Sequence, residues 1–360
     1  MFAERKLILD DFDIAAVAGA ANTAVIKTKV VTVSDGRLNL WFQNEKDQAI
    51  VSAIEVTRQV PTVPWVDSTN APLPRFEALG GTYADDLYVF GGFRTEDIKT
   101  TARAHRFDSA TAQWQELAPV PVPLTHAGIT SDGRYMYLAG GFVGDWQGAN
   151  TPVSRKVYRY DAETNTWSQM LQLPQARGAG ALVRVGRKLH FFGGLDHNYN
   201  DRGSHWTLDL RRPTVWREEP PMPNARNHLG YALMGTKIYA IGGQKVLNEE
   251  EGNIADVHAF DVVTRQWSRV ASLPQPRSHT HNSTIVIGGN RLVIVGGATN
   301  GTITLTDLQE YDPVNDRWFF IGNMPGARSA AVAKMIGNHI IVTGGTTADI
   351  SPKSDTWISA

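Results

Sequence analysis

Three histidines and one glutamate occupy equivalent positions in this chain of 360 residues. Each position follows a tryptophan by twelve residues, and the occupants are Glu77, His126, Ala179, His228, His279 and Ala330. Imidazole nitrogens and carboxylate oxygens can bind a metal ion or act as acid and base. Alternatively, these side chains point between structural units and bond to backbone groups, since successive residues of a strand face opposite sides. We predict a polar ligand site at Glu77, His126, His228 and His279, with no metal and no cofactor.

A second repeated position, ten residues after the tryptophans, carries mostly arginine. Its occupants are Arg75, Leu124, Arg177, Arg226, Arg277 and Arg328. A guanidinium offers five donors in a fixed plane and suits the recognition of carboxylate or phosphate. A repeated arginine at the entrance of a strand can equally be structural, bonding to loop carbonyls and to the acidic end of a neighbouring strand. The predicted ligand-binding set includes Arg226 and Arg277.

Two neighbouring connections, at 142–150 and 195–203, combine aromatic and polar residues. The first contains Trp146 and the second contains Tyr199 beside asparagine and aspartate. Aromatic faces next to amide and carboxylate groups suit a sugar ring or a peptide, and loops on a rigid scaffold are the usual place for recognition. Ordinary loop variability is the alternative. We predict that Trp146 and Tyr199 contact the ligand.

The composition excludes several classes of protein. Lys and Arg number 35 and Asp and Glu number 36, for a net charge of −1, so nucleic acid is not an expected partner. The absence of cysteine excludes disulfides and thiolate chemistry. No apolar run reaches 18 residues, so no membrane span is expected. No signal peptide is recognised, and the compartment stays open between the cytoplasm and export from a longer precursor.

An apolar run ending in a glycine pair recurs six times along the chain. The pairs are Gly91-Gly92, Gly140-Gly141, Gly193-Gly194, Gly242-Gly243, Gly296-Gly297 and Gly344-Gly345, at intervals of 49, 53, 49, 54 and 48 residues. A fixed period near fifty with strand signals in every unit indicates an array of similar supersecondary units. We therefore expect an all-β protein built from six repeats.

Each repeat is predicted to contain four strands. The first leads into a tight hairpin, at 186–187, 235–236 and 337–338 among others; the second ends in the glycine pair; the third ends in an aromatic-Asp pair or a variant of it; the fourth starts at a tryptophan. The sixth repeat stops after a third strand near Trp357, and the segment at Trp65 has the spacing of a missing fourth strand. A sheet shared between both ends of the array would close it into a ring.

The glycine pairs, the aromatic-Asp ends and the fourth-strand tryptophans together resemble the kelch repeat over residues 62–360. The resemblance implies a six-bladed β-propeller of four-stranded antiparallel blades, at 61–360. Kelch propellers are commonly protein-binding scaffolds, and a minority are enzymes, including a copper radical oxidase of sugars and a sialic acid mutarotase. The oxidase chemistry needs a cysteine, which this chain lacks.

Residues 1–60 lie outside the repeat and are predicted to be β. Expected strands cover 6–14, 24–33, 37–42 and 49–56, with a turn at 34–36. The stretches at 9–14, 31–40 and 50–56 resemble the C-terminal half of a malectin-type carbohydrate-binding domain. The resemblance covers about 55 residues, so the remainder of such a domain would have to come from a longer parent chain.

The sequence favours a non-catalytic recognition module that binds a carbohydrate or a protein on one end of the propeller. Two alternatives stay open: a sugar mutarotase or epimerase that uses the channel, and a pure protein-interaction scaffold. An enzyme predicts a buried carboxylate or a histidine of shifted pKa in a narrow pocket. A glycan-binding protein predicts an aromatic shelf near Trp146 and Tyr199.

Overall fold

The fold was analysed in a computed structural model that describes residues 1–10, 12–20, 23–31, 38–43, 51, 53–55, 63–245, 252–300 and 303–360. Most of its secondary structure is β-strand. The chain divides into two compact units, residues 1–60 and residues 61–360. Among these residues, none of the helices has the length and apolar character that crossing a membrane requires.

The first unit, 1–60, contains four short elements. They are β1 (Phe2–Ala3), β2 (Lys6–Leu7), α1 (Ile14–Ala18) and β3 (Leu40–Trp41). The strands form one small sheet in the order β2-β1-β3. Over the described residues the predicted strand at 6–14 is wrong beyond Leu7, because 8–10 and 12–13 form no strand and α1 begins at Ile14. Of the described residues 38–42 of the predicted strand at 37–42, only Leu40–Trp41 form a strand.

The predicted strand at 24–33 is also wrong over its described part, because residues 24–31 form no strand. Ile26 and Val30 are 88% and 75% exposed. An alternating pattern yields a strand only when a partner sheet covers its apolar face, and these side chains have no such cover. The predicted turn at 34–36 and half of the predicted strand at 49–56 lie outside the described residues, and the described residues of that strand, 51 and 53–55, form no strand.

The second unit, 61–360, is built from six four-stranded antiparallel sheets, the blades. In the first half of the chain the strands are β4 (Trp65–Asp67), β5 (Leu79–Tyr83), β6 (Asp86–Phe90), β7 (Ala104–Asp108), β8 (Gln113–Leu117), β9 (Leu124–Thr125), β10 (Gly128–Ser131), β11 (Tyr135–Ala139), β12 (Phe142–Val143), β13 (Val157–Asp161), β14 (Thr166–Gln169), β15 (Ala181–Val185), β16 (Lys188–Phe192), β17 (His205–Asp209) and β18 (Trp216–Glu219). Blade 1 is β5-β6-β7-β8, blade 2 is β10-β11-β13-β14 and blade 3 is β15-β16-β17-β18.

The other three blades repeat the arrangement. Their strands are β19 (Gly230–Met234), β20 (Lys237–Ile241), β21 (Val257–Asp261), β22 (Gln266–Val270), β23 (Thr284–Ile287), β24 (Arg291–Val295), β25 (Ala298–Thr299), β26 (Ile303–Thr304), β27 (Asp307–Asp312), β28 (Arg317–Asn323), β29 (Val332–Ile336), β30 (His339–Thr343) and β31 (Thr356–Ser359). Blade 4 is β19-β20-β21-β22, blade 5 is β23-β24-β27-β28 and blade 6 is β29-β30-β31-β4.

Strand β4 completes blade 6 and closes the ring. It pairs with β31 in the register Trp357↔Asp67, Ile358↔Val66 and Ser359↔Trp65. The first strands of successive blades are neighbours all the way round, and β29 of blade 6 contacts β5 of blade 1. The predicted six-bladed propeller, closed by a strand from near Trp65, is confirmed. Because the ring is closed, every blade packs between two neighbouring blades.

The predicted hairpins are confirmed, since two residues connect Val185 to Lys188, Met234 to Lys237 and Ile336 to His339. The first strands begin later than the sequence suggested. In blade 4 the prediction began at Asn227, but β19 begins at Gly230. The residues before β19 leave the sheet and line the end of the channel.

The hydrophobic core lies between the blades. Each pair of neighbouring blades shares a buried cluster, such as Phe90 of blade 1 with Tyr160 of blade 2. The fourth-strand tryptophans join these contacts, and each indole N–H donates to a carbonyl of the preceding blade. These bonds run from Trp65 to Asn323, Trp114 to Thr69, Trp167 to Ala118, Trp216 to Leu171, Trp267 to Pro220 and Trp318 to Ala271, at 2.7–3.3 Å. The tryptophans therefore pack the blades and bond them together.

Candidate functional site

The six positions that the twelve-residue spacing selects share one backbone conformation. Their φ angles lie between 49° and 57°, at Glu77, His126, Ala179, His228, His279 and Ala330. This left-handed region is uncommon for residues other than glycine, and it persists only where the surrounding structure imposes it. The spacing therefore identifies one structurally equivalent position in all six blades.

Backbone hydrogen bonds link these six residues in series from blade to blade. In five places the N–H of one ring residue donates to the carbonyl of its equivalent in the preceding blade: Glu77 to Ala330, Ala179 to His126, His228 to Ala179, His279 to His228 and Ala330 to His279, at 2.9–3.1 Å. The left-handed conformation is thus tied to contacts between blades. Because all six residues share this conformation, the chain enters the first strand of every blade with the same geometry.

The four polar side chains of this ring converge. His126 Nε2 lies 3.4 Å from Glu77 Oε2, and His279 Nε2 lies 3.8 Å from Glu77 Oε1. The imidazole of His228 is 4.8 Å from that of His126 and 4.5 Å from that of His279, between ring centroids. The structure thus answers the question of orientation that the sequence left open, because the side chains face one another rather than the gaps between blades.

A fifth polar residue, His281, belongs to this Glu77–histidine cluster, and the sequence analysis missed it. Its Nε2 lies 3.2 Å from Glu77 Oε2. Nineteen residues separate Arg277 from Gly296, whereas sixteen separate Arg226 from Gly242. Two of the three additional residues lie before β23, where residues 281–283 form an extra turn that carries His281, and the third lies in the three-residue hairpin turn at 288–290. The longer spacing was the signal in the sequence that pointed to an irregularity here.

The three ring histidines are oriented by the residue that precedes each of them. The Nδ1 atoms of His126, His228 and His279 hydrogen-bond to the side chains of Thr125, Asn227 and Ser278 respectively. This contact occupies Nδ1 and leaves Nε2 for the interior of the cluster. Ordered orientation of this kind is characteristic of histidines that bind a ligand through the other nitrogen.

The contact at His228 also determines which nitrogen carries the proton. Asn227 Nδ2 donates to Asp201 Oδ1 at 2.5 Å, so the amide oxygen of Asn227 faces His228. An amide oxygen can only accept, and therefore His228 carries its proton on Nδ1. Its Nε2 then presents a lone pair to the cluster.

Burial dominates the acid–base properties of the cluster. Glu77 is 2% exposed, and the loss of hydration raises the pKa of its carboxyl to about 8. The same effect lowers the pKa of His279 to about 4 and that of His281 to about 3, with a further contribution at His281 from the nearby charges of His279 and Lys334. Burial, followed by the neighbouring imidazoles, also lowers the pKa of His126 and His228. At neutral pH the imidazoles are uncharged and Glu77 is largely protonated.

An aromatic wall borders the cluster on the side of blades 1 to 3. Phe142 contacts His126 with ring centroids 5.1 Å apart and stacks on Tyr199 at 5.7 Å. Trp146 meets Phe142 at 5.6 Å, and Phe93 contacts His126 at 5.6 Å. Trp146 and Tyr199 are therefore brought together near His126, as members of a half-buried wall.

The opposite side, blades 4 to 6, is polar. In each blade the residue before the ring position pairs with the residue after the glycine pair. In blades 4 and 6 these pairs are Asn227 with Gln244 and Ser329 with Thr346, and all four side chains are buried. The same pairs in blades 1 and 3 are Phe76 with Phe93 and Gly178 with Leu195. Blade 2 pairs Thr125 with Phe142 and blade 5 pairs Ser278 with Ala298, so the mouth of the channel is mainly apolar on one half and mainly polar on the other.

The structure does not bring Arg226 and Arg277 into this cluster as ligand-binding groups. Both are 0% exposed. Arg226 donates to the carbonyl oxygens of Pro223, Asn224 and Ala240, and Arg277 donates to both carboxylate oxygens of Asp307 and to Gly296 O. The guanidiniums hold the blade entrances together, so the structural alternative describes them and we leave them out of the site.

Comparison with known families agrees with this architecture. The KLHDC2/KLHL20/DRC7 Kelch-repeats domain matches residues 142–345, more than half of the chain. The chain belongs to the kelch-repeat family. The matched family model does not reach the first unit, where the resemblance to a malectin-type domain stays an expectation from the sequence.

Several curated proteins are similar to this kelch propeller. A kelch repeat-containing protein of Arabidopsis thaliana, At3g27220, is 26% identical over 89% of this chain and 79% of that protein. The kelch-like protein terF of Aspergillus terreus is 26% identical over 82% of this chain and 67% of that protein. Kelch-like protein 25 of Xenopus tropicalis is 25% identical over 72% of this chain, which spans only 43% of that longer protein.

A solved structure, described as the structure of YjhT, resembles this kelch propeller with a TM-score of 0.65. It is 17% identical in sequence, and the similarity covers 81% of this chain and 96% of that one. At this level of identity the likeness concerns the fold alone. The function has to be argued from the side chains of this chain.

Proposed function

We propose that this kelch protein is a recognition module that binds a carbohydrate at the end of the propeller where the Glu77–histidine cluster lies. The observation that carries the proposal is the division of the channel mouth into an aromatic and a polar half. Trp146 and Tyr199 stand on one half, and Asn227, Gln244 and Thr346 stand on the other.

A sugar ring matches such a division. It presents a face of C–H groups that packs on an aromatic ring and a rim of hydroxyls that hydrogen-bond to amides, hydroxyls and carboxylates. Gln244 contributes an amide nitrogen that is buried and has no hydrogen-bond partner among the described residues. A ligand hydroxyl that accepted from this nitrogen would satisfy it.

The test is a screen of neutral and acidic monosaccharides and short oligosaccharides by thermal shift, followed by calorimetric titration of any hit. A ligand of the native state raises the melting temperature. We expect Trp146→Ala to weaken binding by about 1–3 kcal/mol, as loss of an aromatic contact does. Tyr135→Ala is the control, because Tyr135 begins β11 at the opposite end of the blade.

The proposal fails if no sugar shifts the melting temperature, or if the Trp146→Ala and Tyr135→Ala proteins bind a hit equally well. In the first case a protein ligand on the same end becomes the better explanation. Binding of a defined peptide or protein that none of the sugars displaces would then identify this chain as an interaction scaffold.

A mutarotase or epimerase is the second candidate, and one contact favours it. Glu77 Oε2 and His281 Nε2 lie 3.2 Å apart, so a carboxyl and an imidazole stand close enough to act as an acid–base pair beside a bound sugar. Mutarotation needs one group that protonates the ring oxygen and one that takes the proton of the anomeric hydroxyl. Anomer exchange measured by NMR with wild-type and Glu77→Gln protein tests this. Exchange at the uncatalysed rate in both would exclude the enzyme.

A further inference from the structure

We propose that Glu77, His228 and His279 bind one divalent transition-metal ion at the centre of the propeller. One ligand atom from each of these residues can be chosen so that all three lie within 4.8 Å of one another. The sequence analysis predicted no metal, because spacing alone could not show that three blades direct nitrogen and oxygen ligands to one point.

The chemistry of these atoms selects the class of ion. Imidazole nitrogens with one carboxylate are the ligands of Zn²⁺ and of other borderline first-row metals, whereas Mg²⁺ and Ca²⁺ prefer oxygen. Bonds of about 2.0–2.2 Å place ligand atoms roughly 3.5 Å apart. The cluster therefore has to contract by about 1 Å around the ion, which side-chain rotation can provide.

The orientation of the histidines is a first independent observation. His228 is held by the Asp201–Asn227 relay with its lone pair on Nε2, and His279 is held through Nδ1 by Ser278 Oγ at 2.7 Å. Such partners orient a metal-bound imidazole and raise its basicity. A histidine that served only to fill the core would not need its inward nitrogen left free.

Glu77 is the second independent observation. Both of its carboxylate oxygens are buried without a hydrogen bond, and in the part of the chain that the structure describes no lysine or arginine forms an ion pair with it. A buried carboxyl without donors is costly. A bound cation would satisfy both oxygens. The Nε2 atoms of His281 and His126 also lie within 3.4 Å of Glu77 Oε2, so these two histidines are the candidates for a fourth ligand.

Not every ring position offers a metal ligand. Ala179 and Ala330 occupy the ring in blades 3 and 6, so two of its six places carry no side chain that can bind the metal. The His279 side chain is 24% exposed, which gives the ion a path from solvent. The three metal ligands are not among the residues proposed to contact the sugar, and the two proposals share only Asn227, which orients His228.

The experiment uses the full chain without an affinity tag, stripped with EDTA and dialysed. Zn²⁺ is titrated calorimetrically, and Co²⁺ is added separately because its visible absorption reports nitrogen and oxygen coordination. We expect one ion per chain, a Co²⁺ band of four- or five-coordinate type, and a melting temperature that rises by a few degrees with excess Zn²⁺.

Variants assign the ligands. Glu77→Gln, His228→Gln and His279→Gln should each weaken Zn²⁺ binding at least about 100-fold and abolish the Co²⁺ band. Ser278→Ala removes only the hydroxyl that orients His279 and should weaken binding about tenfold. His197→Gln and His339→Gln remove exposed histidines and should leave the stoichiometry and affinity unchanged.

Two outcomes would overturn the proposal. One is wild-type protein that binds no Zn²⁺; the other is binding that survives in His279→Gln, whose partly exposed side chain makes it the variant best suited to fold normally. Thermal unfolding of each metal-free variant checks folding. Trp146→Ala should keep full metal affinity, so loss of sugar binding and loss of metal binding can be told apart.

Discussion

The backbone N–H of His279 donates a 3.0 Å hydrogen bond to the carbonyl oxygen of His228, while their imidazole rings lie 4.5 Å apart. These two residues therefore join blades 4 and 5 through the main chain, and their imidazole side chains lie next to each other. Both residues hold a left-handed backbone. This contact between blades 4 and 5 helps to assemble the cluster, whereas the pairing of β4 with β31 closes the propeller.

The fourth-strand tryptophans should contribute strongly to stability. Trp216 is 8% exposed and donates to Leu171 O of the preceding blade. We expect Trp216→Ala to lower the free energy of unfolding by about 3–5 kcal/mol, and Trp216→Phe by about 1–2 kcal/mol, since phenylalanine keeps most of the packing but leaves the carbonyl unpaired. Urea denaturation measures both. Trp41→Ala, at an exposed tryptophan, should change stability by less than about 0.5 kcal/mol.

The second glycine of each pair should be intolerant of a side chain for steric reasons. A Cβ at Gly243 would lie 2.6 Å from Asn227 O, whereas a Cβ at Gly235 would meet no atom within 4 Å, and both residues have a positive φ. Gly243→Ala should therefore destabilise the protein by about 1–3 kcal/mol more than Gly235→Ala. Equal losses in denaturation experiments would show that backbone strain alone explains these glycines.

The buried arginines should prove structural. Arg277→Ala removes a fully buried guanidinium from Asp307 and Gly296 O, and we expect a loss of about 3–5 kcal/mol in the free energy of unfolding. Arg269→Ala, at a pair with Asp256 whose arginine is 66% exposed, should cost about 1 kcal/mol or less. If Arg277→Ala folds with normal stability but loses ligand affinity, the ligand-binding prediction from the sequence was right after all.

Acid should destabilise the propeller through its buried histidines. His190 Nδ1 and His205 Nε2 are 3.0 Å apart, and burial lowers the pKa of His190 to about 4 and that of His205 to about 3. Between these values and the ordinary pKa of about 6.5, the unfolded chain binds more protons than the folded protein. Stability is thus complete above pH 6.5 and falls as the pH drops toward 4.

The His205→Phe protein tests this linkage. Each such histidine should contribute roughly 2 kcal/mol to the difference in unfolding free energy between pH 7.5 and pH 5.0. His205→Phe should shrink that difference by about this amount in urea denaturation at the two pH values. Phe192→Leu, which alters the packing against His205 without removing a titratable group, should leave the difference unchanged.

The repeat and its closure could be read from the sequence because they depend on local patterns. Glycine pairs, two-residue hairpins and tryptophans recur at intervals that neighbouring contacts impose, and the Trp65 segment matches the interval of a missing strand. In the first unit the same reasoning predicted strands that the described residues 24–31 do not form. Its alternating residues needed a covering sheet to become strands, and Ile26 and Val30 lack one.

The sequence by itself determined the number of blades, the ring closure and the six equivalent positions, because each follows from a period along the chain. Only the tertiary structure decided where the side chains at those positions lie and what they contact. Whether His126 and His228 face the axis, whether His281 joins them from an extra turn, and whether Arg277 meets a ligand or Asp307 all depend on contacts between residues far apart in the chain. A period shows that the same position recurs in every blade. It carries no information about which side chains meet where the six blades converge.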